Sequence, residues 1–131
     1  MIIVLSGKIN SGNNFVAGLL NEKLKNSTVI DENLIDKEKY NNRNKIEKEL
    51  FELAKKTSKV GIISIITANI CNEKIINNYI NNKYDVILHI KNKEIEDYCN
   101  TIKNIEYIDE IDINNLYDKY LKTKLETNLF N

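Results

Sequence analysis

The chain alternates short, wholly apolar runs with longer stretches whose apolar residues recur at helical spacing. "IIVL" (Ile2–Leu5) is β-branched, apolar at each position and ended by Gly7, the pattern of a strand buried on both faces. Asn14 to Leu24 is predicted as a helix, with Phe15, Leu19 and Leu20 read onto one face. "STVID" (Ser27–Asp31) is a short strand. Lys45 to Lys56 is a second helix, carrying Ile46, Leu50, Phe51 and Leu53. "VGIISIIT" (Val60–Thr67) is the most apolar run and the candidate for the centre of a sheet. A helix over Asn72 to Asn82 bears Ile75, Ile76, Tyr79 and Ile80. "DVILHI" (Asp85–Ile90) and "IEYIDEI" (Ile105–Ile111) are further strands. Ile113 to Leu125 closes the chain as a helix with Leu116, Tyr117, Tyr120 and Leu121 on its face.

Strands and helices in alternation mean parallel strands joined by right-handed crossovers, with helices on both faces. The expectation is therefore an α/β domain, one unit over residues 1–131, with no linker or repeat. Asp36 to Asn44 is very polar and is predicted as a mobile loop.

Composition narrows the function classes. Lys plus Arg and Asp plus Glu each number 19, so net charge is zero. That argues against a broad nucleic-acid footprint, which needs a basic excess or a basic face. No apolar stretch approaches a membrane span, and the opening run is too short for a signal peptide, so a cytoplasmic protein is expected. Ile, Asn and Lys dominate; their codons can be nearly all A and T, which points to an AT-rich genome such as that of a virus, a phage or a low-GC bacterium. Cys71 and Cys99 do not form a C-x-x-C pair, and the single His89 cannot complete a zinc site with them, so no metal is expected.

The candidate chemistry lies after the first strand. In an open parallel sheet, ligands collect at the carboxyl ends of the strands. "GKINSGNN" leaves the first strand there and opens the first helix. Gly7 and Gly12 have the G-x-x-x-x-G spacing of a phosphate-binding loop, in which backbone N–H groups turn inward around an anion and a helix N-terminus faces it. Such a loop continues with Lys and then Ser or Thr for magnesium. Asn13 and Asn14 stand at those positions. The same residues also fit a plain strand-to-helix turn in which Asn13 or Asn14 is the N-cap and no ligand binds.

The stretch "IIVLSGKINSGNNFVAGLLNEKL" resembles the opening of phage-type deoxynucleoside monophosphate kinases and animal-type phosphomevalonate kinases, which begin with a hydrophobic strand and S-G-x-x-x-S-G-K-[DT]. Ser6, Gly7, Lys8, Ser11, Gly12, Phe15 and Val16 match the phosphomevalonate form. "VGIISIITANICNEKIINNYINNKYDVILHIK" looks like the central strand and the following helix and strand of that family. "IEYIDEIDINNLYDKYLKTKL" is similar to its last strand and helix. The resemblance implies a three-layer P-loop kinase-like fold with a five-stranded parallel sheet of order 2-3-1-4-5. It places an anion at a loop of Gly7, Lys8, Ser11, Gly12, Asn13 and Asn14.

The departures from the pattern bear on function. The family's loop lysine is Asn13, and its magnesium-binding position is Asn14. "TANICNE" carries neither the acid nor the Arg of the family's D-x-R-type motif. Tyr40 to Lys59 and Ile90 to Ile105 leave little room for the substrate insert and the lid. The chain has one arginine, Arg43. Phosphoryl transfer spreads charge over several oxygens and is met by magnesium and a clamp of Lys and Arg. The implied protein is thus catalytically inactive, binds ATP or phosphate weakly at most, and is retained as a binding or assembly protein. Its protein partner or its own second copy would meet apolar residues such as Ile70, Ile95 and Ile102, left uncovered by the missing lid and insert. The alternative is a minimal nucleotide binder or nucleoside monophosphate kinase that uses Lys8 or a residue from a partner.

Among other groups, His89 within "VILHIK" reads as structural, since no acid or nucleophile pairs with it by spacing. Asp109, Glu110 and Asp112 suit the start of the last helix. "KNKEIEDY" (Lys91–Tyr98) reads as a solvated helical turn, and the seven Tyr do not interleave with basic residues as a base-stacking surface would.

Overall fold

Alternate residues of the first strand, β1 (Ile2–Ser6), enter two different cores. Ile2 and Val4 belong to one apolar cluster and Ile3 and Leu5 to the other, as the two-residue period of a strand requires. The computed structural model that shows this describes residues 1–7, 13–35, 38, 42–68, 73–81, 83–90, 105–108 and 115–129. β1 lies parallel between β3 (Ile63–Ala68) and β4 (Val86–Ile90), and β2 (Ser27–Ile30) lies beyond β3. The parallel sheet thus runs β2-β3-β1-β4, an order compatible with a Rossmann-like fold. At its β4 edge the backbone of β5 (Ile105–Ile108) runs parallel to β4, from Ile87 opposite Ile105 to Ile90 opposite Ile108.

Among the described residues, four α-helices cover the two faces. α1 (Asn13–Lys23), the last helix, α4 (Lys122–Leu129), and the π-helical turn Tyr117–Leu121 that leads into α4 lie on one face. There Val16, Ala17, Leu20, Leu116 and Leu121 pack with Ile3, Leu5, Ile65 and Leu88. α2 (Arg43–Lys59) and α3 (Glu73–Tyr79) cover the other face, where Leu50, Phe51, Ala54, Ile75 and Ile76 pack with Ile2, Val4, Ile66 and Ile87. The α/β class, the parallel sheet and helices on both faces agree with the sequence pattern. No helix of the described residues is long and apolar enough to cross a membrane.

Three expectations are corrected. α1 buries Val16, Ala17, Leu20 and Leu24, while Phe15 is 67% and Leu19 39% exposed. The core face is the stripe at 16, 20 and 24, and Phe15 and Leu19 lie together one step around the helix, on its outer side. The second helix is longer at both ends than Lys45–Lys56. Asn42, in extended conformation, accepts the Lys45 N–H at 2.9 Å and starts it earlier. Its end replaces the start of the strand predicted at Val60. The Gly61 N–H donates to the Ser58 carbonyl at 3.1 Å and the Ile62 N–H to the Thr57 carbonyl at 3.4 Å, the paired bonds of a Schellman stop. Gly61 takes the φ of 86° that the stop requires, so Val60 to Ile62 turn between helix and strand and β3 begins at Ile63.

Polar side chains pin the amino ends of the strands. The Ile2 N–H donates to Asp85 Oδ1 at 2.7 Å, holding β1 beside β4. Ser58 Oγ donates to the Met1 carbonyl at 3.0 Å, and Ser64 Oγ to the Ala54 carbonyl at 3.0 Å, holding α2 against β1 and β3.

Candidate functional site at the carboxyl edge of the sheet

The register brings the carboxyl ends of the inner strands together: Ser6 stands opposite Ala68 of β3 and His89 of β4. β1 and β4 are buried throughout, so the chain leaving at Gly7 starts from a fixed platform. Gly7 is itself buried, with φ 156°. α1 resumes at Asn13, and it covers the same sheet face that Leu5 enters.

Asn13 stands where a phosphate loop carries its lysine, and its half-buried side chain turns back to the strand. Its Nδ2 donates to the Leu5 carbonyl at 3.3 Å and to the Gly7 carbonyl at 3.4 Å. One amide thus bridges two carbonyls at the root of the loop. Those bonds are long for N–H···O pairs but lie in reach of a donor held by the first turn of the helix. Asn14 is exposed. Both residues fall inside α1, which begins at Asn13, so neither serves as the N-cap that a ligand-free turn was expected to use. Lys8, Ser11 and Gly12 lie outside the described residues. So do Ile70, Ile95, Ile102, Cys71, Cys99, the Lys91–Tyr98 segment and the acids Asp109, Glu110 and Asp112.

At the carboxyl end of β1 lies a polar pair that sequence spacing did not suggest. Ser6 Oγ is 2.7 Å from His89 Nδ1, and both residues are fully buried. Ser6 and His89 share the face that Ile87 presents to α2 and α3, since each lies an even number of residues along its strand from a residue of that cluster. His89, read as a lone structural residue, has a hydroxyl partner 83 positions away. A Ser–His contact is half of a nucleophile–base arrangement. Here both side chains are fully buried.

A third buried polar group, Glu47, is 3% exposed on α2. It precedes Leu50, Phe51 and Ala54 on the apolar stripe of that helix. The Ser64 bond fixes Ala54 at the level of Ser64, which pairs with Ile2. From Ala54 back to Glu47 is about 10 Å along the helix, equivalent to roughly three strand residues. Glu47 therefore stands near the level of Leu5, at the same end of the sheet as the Ser6–His89 pair. The signal in the sequence was slight: a polar residue closing the apolar run in "IIVLS", a histidine inside "VILHI", and a glutamate on an otherwise apolar helix stripe. Among the described residues, no group of three or more His, Cys, Asp or Glu is placed to hold a metal ion.

The described residues of this edge are thus a buried strand that ends beside Gly7, a helix described from Asn13 onward, and a buried Ser–His pair. A glycine-spaced loop that joins such a strand to such a helix is able to present backbone amides to an anion. Among the described residues at this edge, Asn13 and Asn14 bring no cationic side chain to it. No protein-family model matches the chain, and no curated protein matches it in sequence.

Proposed function

We infer that the chain is a P-loop kinase-like protein that has lost phosphoryl transfer and is kept as a binding or assembly protein. The strand order β2-β3-β1-β4, with β5 beyond β4, is the order that such a fold requires. The observation that carries the reading is the Asn13 amide on the Leu5 and Gly7 carbonyls. A loop lysine would place a positive charge among the phosphate oxygens, whereas this amide is committed to the loop's own root. It stabilises the turn and leaves a triphosphate without its main cation. Losing one such electrostatic group typically lowers a rate about a hundredfold or more.

The assembly half of the reading is supported by Phe15 and Leu19, exposed one turn apart on the outer side of α1. The occupant is a second copy of this chain or another protein.

Isothermal titration with ATP, GTP and deoxynucleoside triphosphates, with and without magnesium, tests the first half. Weak binding that magnesium barely improves is the expected result. Micromolar, magnesium-dependent binding overturns the reading and favours a working nucleotide site completed by Lys8 or by a partner. Light scattering on the wild type and on Phe15→Ser/Leu19→Ser tests the second half: association that the double substitution abolishes supports it, and a strictly monomeric wild type with no captured partner overturns it.

A further inference from the structure

The opposite end of the sheet holds a groove of about 940 Å³, formed where the end of α1, the end of α2 and the start of β3 meet α4. Leu24, Ile63 and Leu125 supply an apolar wall. Lys23, Lys25 and Lys59 also line it, and no acidic residue among the described residues does. In a chain of zero net charge, that is a local concentration of one sign. Lys23 Nζ lies 4.6 Å from the centre of the Tyr117 ring, which forms part of the same lining. Tyr117 in turn opens the π-helical segment. The Lys122 N–H reaches back to the Tyr117 carbonyl, five residues away, in place of the usual four. Such turns are rare and recur where a helix must aim a side chain for function.

The geometry points to a binding site for a small amphiphilic anion: a carboxylate, sulfonate or phosphate ester with an apolar body. The apolar body lies along Leu24, Ile63 and Leu125 against the Tyr117 ring, and the anionic head meets the lysines at the rim. The volume is that of a pocket for an organic molecule, and a mostly apolar wall with a few charged groups is how such pockets fix orientation. Long lysine stems can cover apolar surface while their amines stay in water, which suits a head group held at the mouth. The site is separate from the carboxyl-edge loop, so it stands or falls independently of the nucleotide reading.

The probes are 8-anilinonaphthalene-1-sulfonate and its uncharged counterpart N-phenyl-1-naphthylamine, titrated into full-length protein shown to melt cooperatively. The sulfonate is expected to bind saturably and more tightly than the uncharged probe, and to weaken as salt rises. Lys25→Glu/Lys59→Glu, which changes exposed residues and leaves the core intact, is expected to weaken the sulfonate by about fivefold per reversed charge and to leave the uncharged probe unaffected. Amide chemical-shift changes should centre on Asn26, Gly61 and Ile63. Equal binding of the two probes, insensitivity to the charge reversals, or shifts confined to the Phe15 surface would each overturn the assignment. So would an acidic peptide that binds at these residues where the sulfonate does not, which would make the groove a protein-docking surface.

Discussion

Ser6, the last residue of β1, stands in direct register with His89 of the adjacent parallel strand β4, and the serine oxygen meets the imidazole Nδ1 at 2.7 Å with both residues fully buried. The pair ties β1 to β4 at the point where the chain turns out toward the loop. Removing one member leaves the other desolvated without that bond, which costs about 1–3 kcal/mol. Ser6→Ala is therefore expected to lower stability by that amount in urea denaturation. Ser6→Ala/His89→Leu, which removes both polar groups, should recover part of the loss, because an apolar pair of similar shape has no unmet hydrogen bond. A double variant less stable than the sum of the two single ones would mean that the pair is not the tie described.

Gly61 supports a second expectation. A Cβ built on it meets nothing within 4 Å, so a substitution there clashes with no neighbour. The whole penalty of Gly61→Ala is then conformational, from holding a φ of 86° with a side chain present. That penalty is about 1–2 kcal/mol. Asn is expected to recover some of it, since it tolerates left-handed backbone better than Ala. Thermal melts of the Ala and Asn variants check the ranking, and an Ala variant as stable as the wild type would show that the stop does not depend on this glycine.

The parallel sheet and the two-faced core were legible in the sequence because both rest on periodicity, whereas the strand order was only what the family resemblance implied. A run such as "IIVL" has no polar face to expose, and alternation with helices leaves a parallel sheet as the economical arrangement. Where the reading missed, a local device overrode the pattern. Val60 and Ile62 look like strand residues, yet two backbone bonds and Gly61 make them the end of α2. Phe15 looks like core by type, but the helix phase set by Val16, Leu20 and Leu24 turns it outward. Ser6 and His89 each left a slight trace as polar residues in apolar runs, but their pairing was not legible, since register between strands 83 positions apart is decided by tertiary packing. The Asn13 bonds were invisible for the same reason: its place in the glycine spacing gave no hint of what the amide does.

α2 and α3 are joined by the Tyr79 hydroxyl, which donates to Glu52 Oε1, while the Tyr79 ring stacks on Phe51 at a centroid distance of 5.6 Å. The bond to Glu52, with some burial and the charges of Glu52 and Glu49, pushes the Tyr79 hydroxyl up to about 12. The same bond holds the Glu52 carboxyl below its ordinary range, with Lys55, Lys48 and Lys56 adding to the effect and partial desolvation opposing it. For Tyr79 the neutral form is favoured in the folded state. Its contribution is complete below the unfolded value near 10 and is lost as pH rises toward about 12. For Glu52 the charged form is favoured, so its contribution is present above the ordinary carboxylate value and is lost as pH falls through the lowered one. Tyr79→Phe should keep the stacking, lower the melting temperature at neutral pH by roughly 2–4 °C, and flatten the alkaline limb of the stability profile. An unchanged alkaline limb would assign that limb to other groups.

The loop itself gives the sharpest test. Asn13→Lys exchanges an amide held on the Leu5 and Gly7 carbonyls for a cation free to reach phosphate oxygens, and Asn14→Thr restores a hydroxyl on the exposed position after it. Two effects then oppose each other. The fold loses the Asn13 bonds, at about 0.5–1.5 kcal/mol for a hydrogen bond of ordinary strength, while a triphosphate gains a charge-assisted partner at the start of a helix. The double variant is therefore expected to melt slightly lower than the wild type without ligand. With ATP and magnesium it is expected to be stabilised more than the wild type, because a ligand that binds only the folded state raises stability with its concentration. Turnover should remain absent. Binding the ground state does not by itself stabilise the transition state, and the single Arg43 leaves the chain without the clamp that phosphoryl transfer uses. Thermal melts with and without MgATP, alongside a phosphoryl-transfer assay on nucleoside monophosphates and phosphomevalonate, separate the outcomes. Improved binding with no transfer is what an abandoned catalytic loop gives. Robust transfer by the repaired protein would show that Asn13 and Asn14 alone had silenced an otherwise intact kinase.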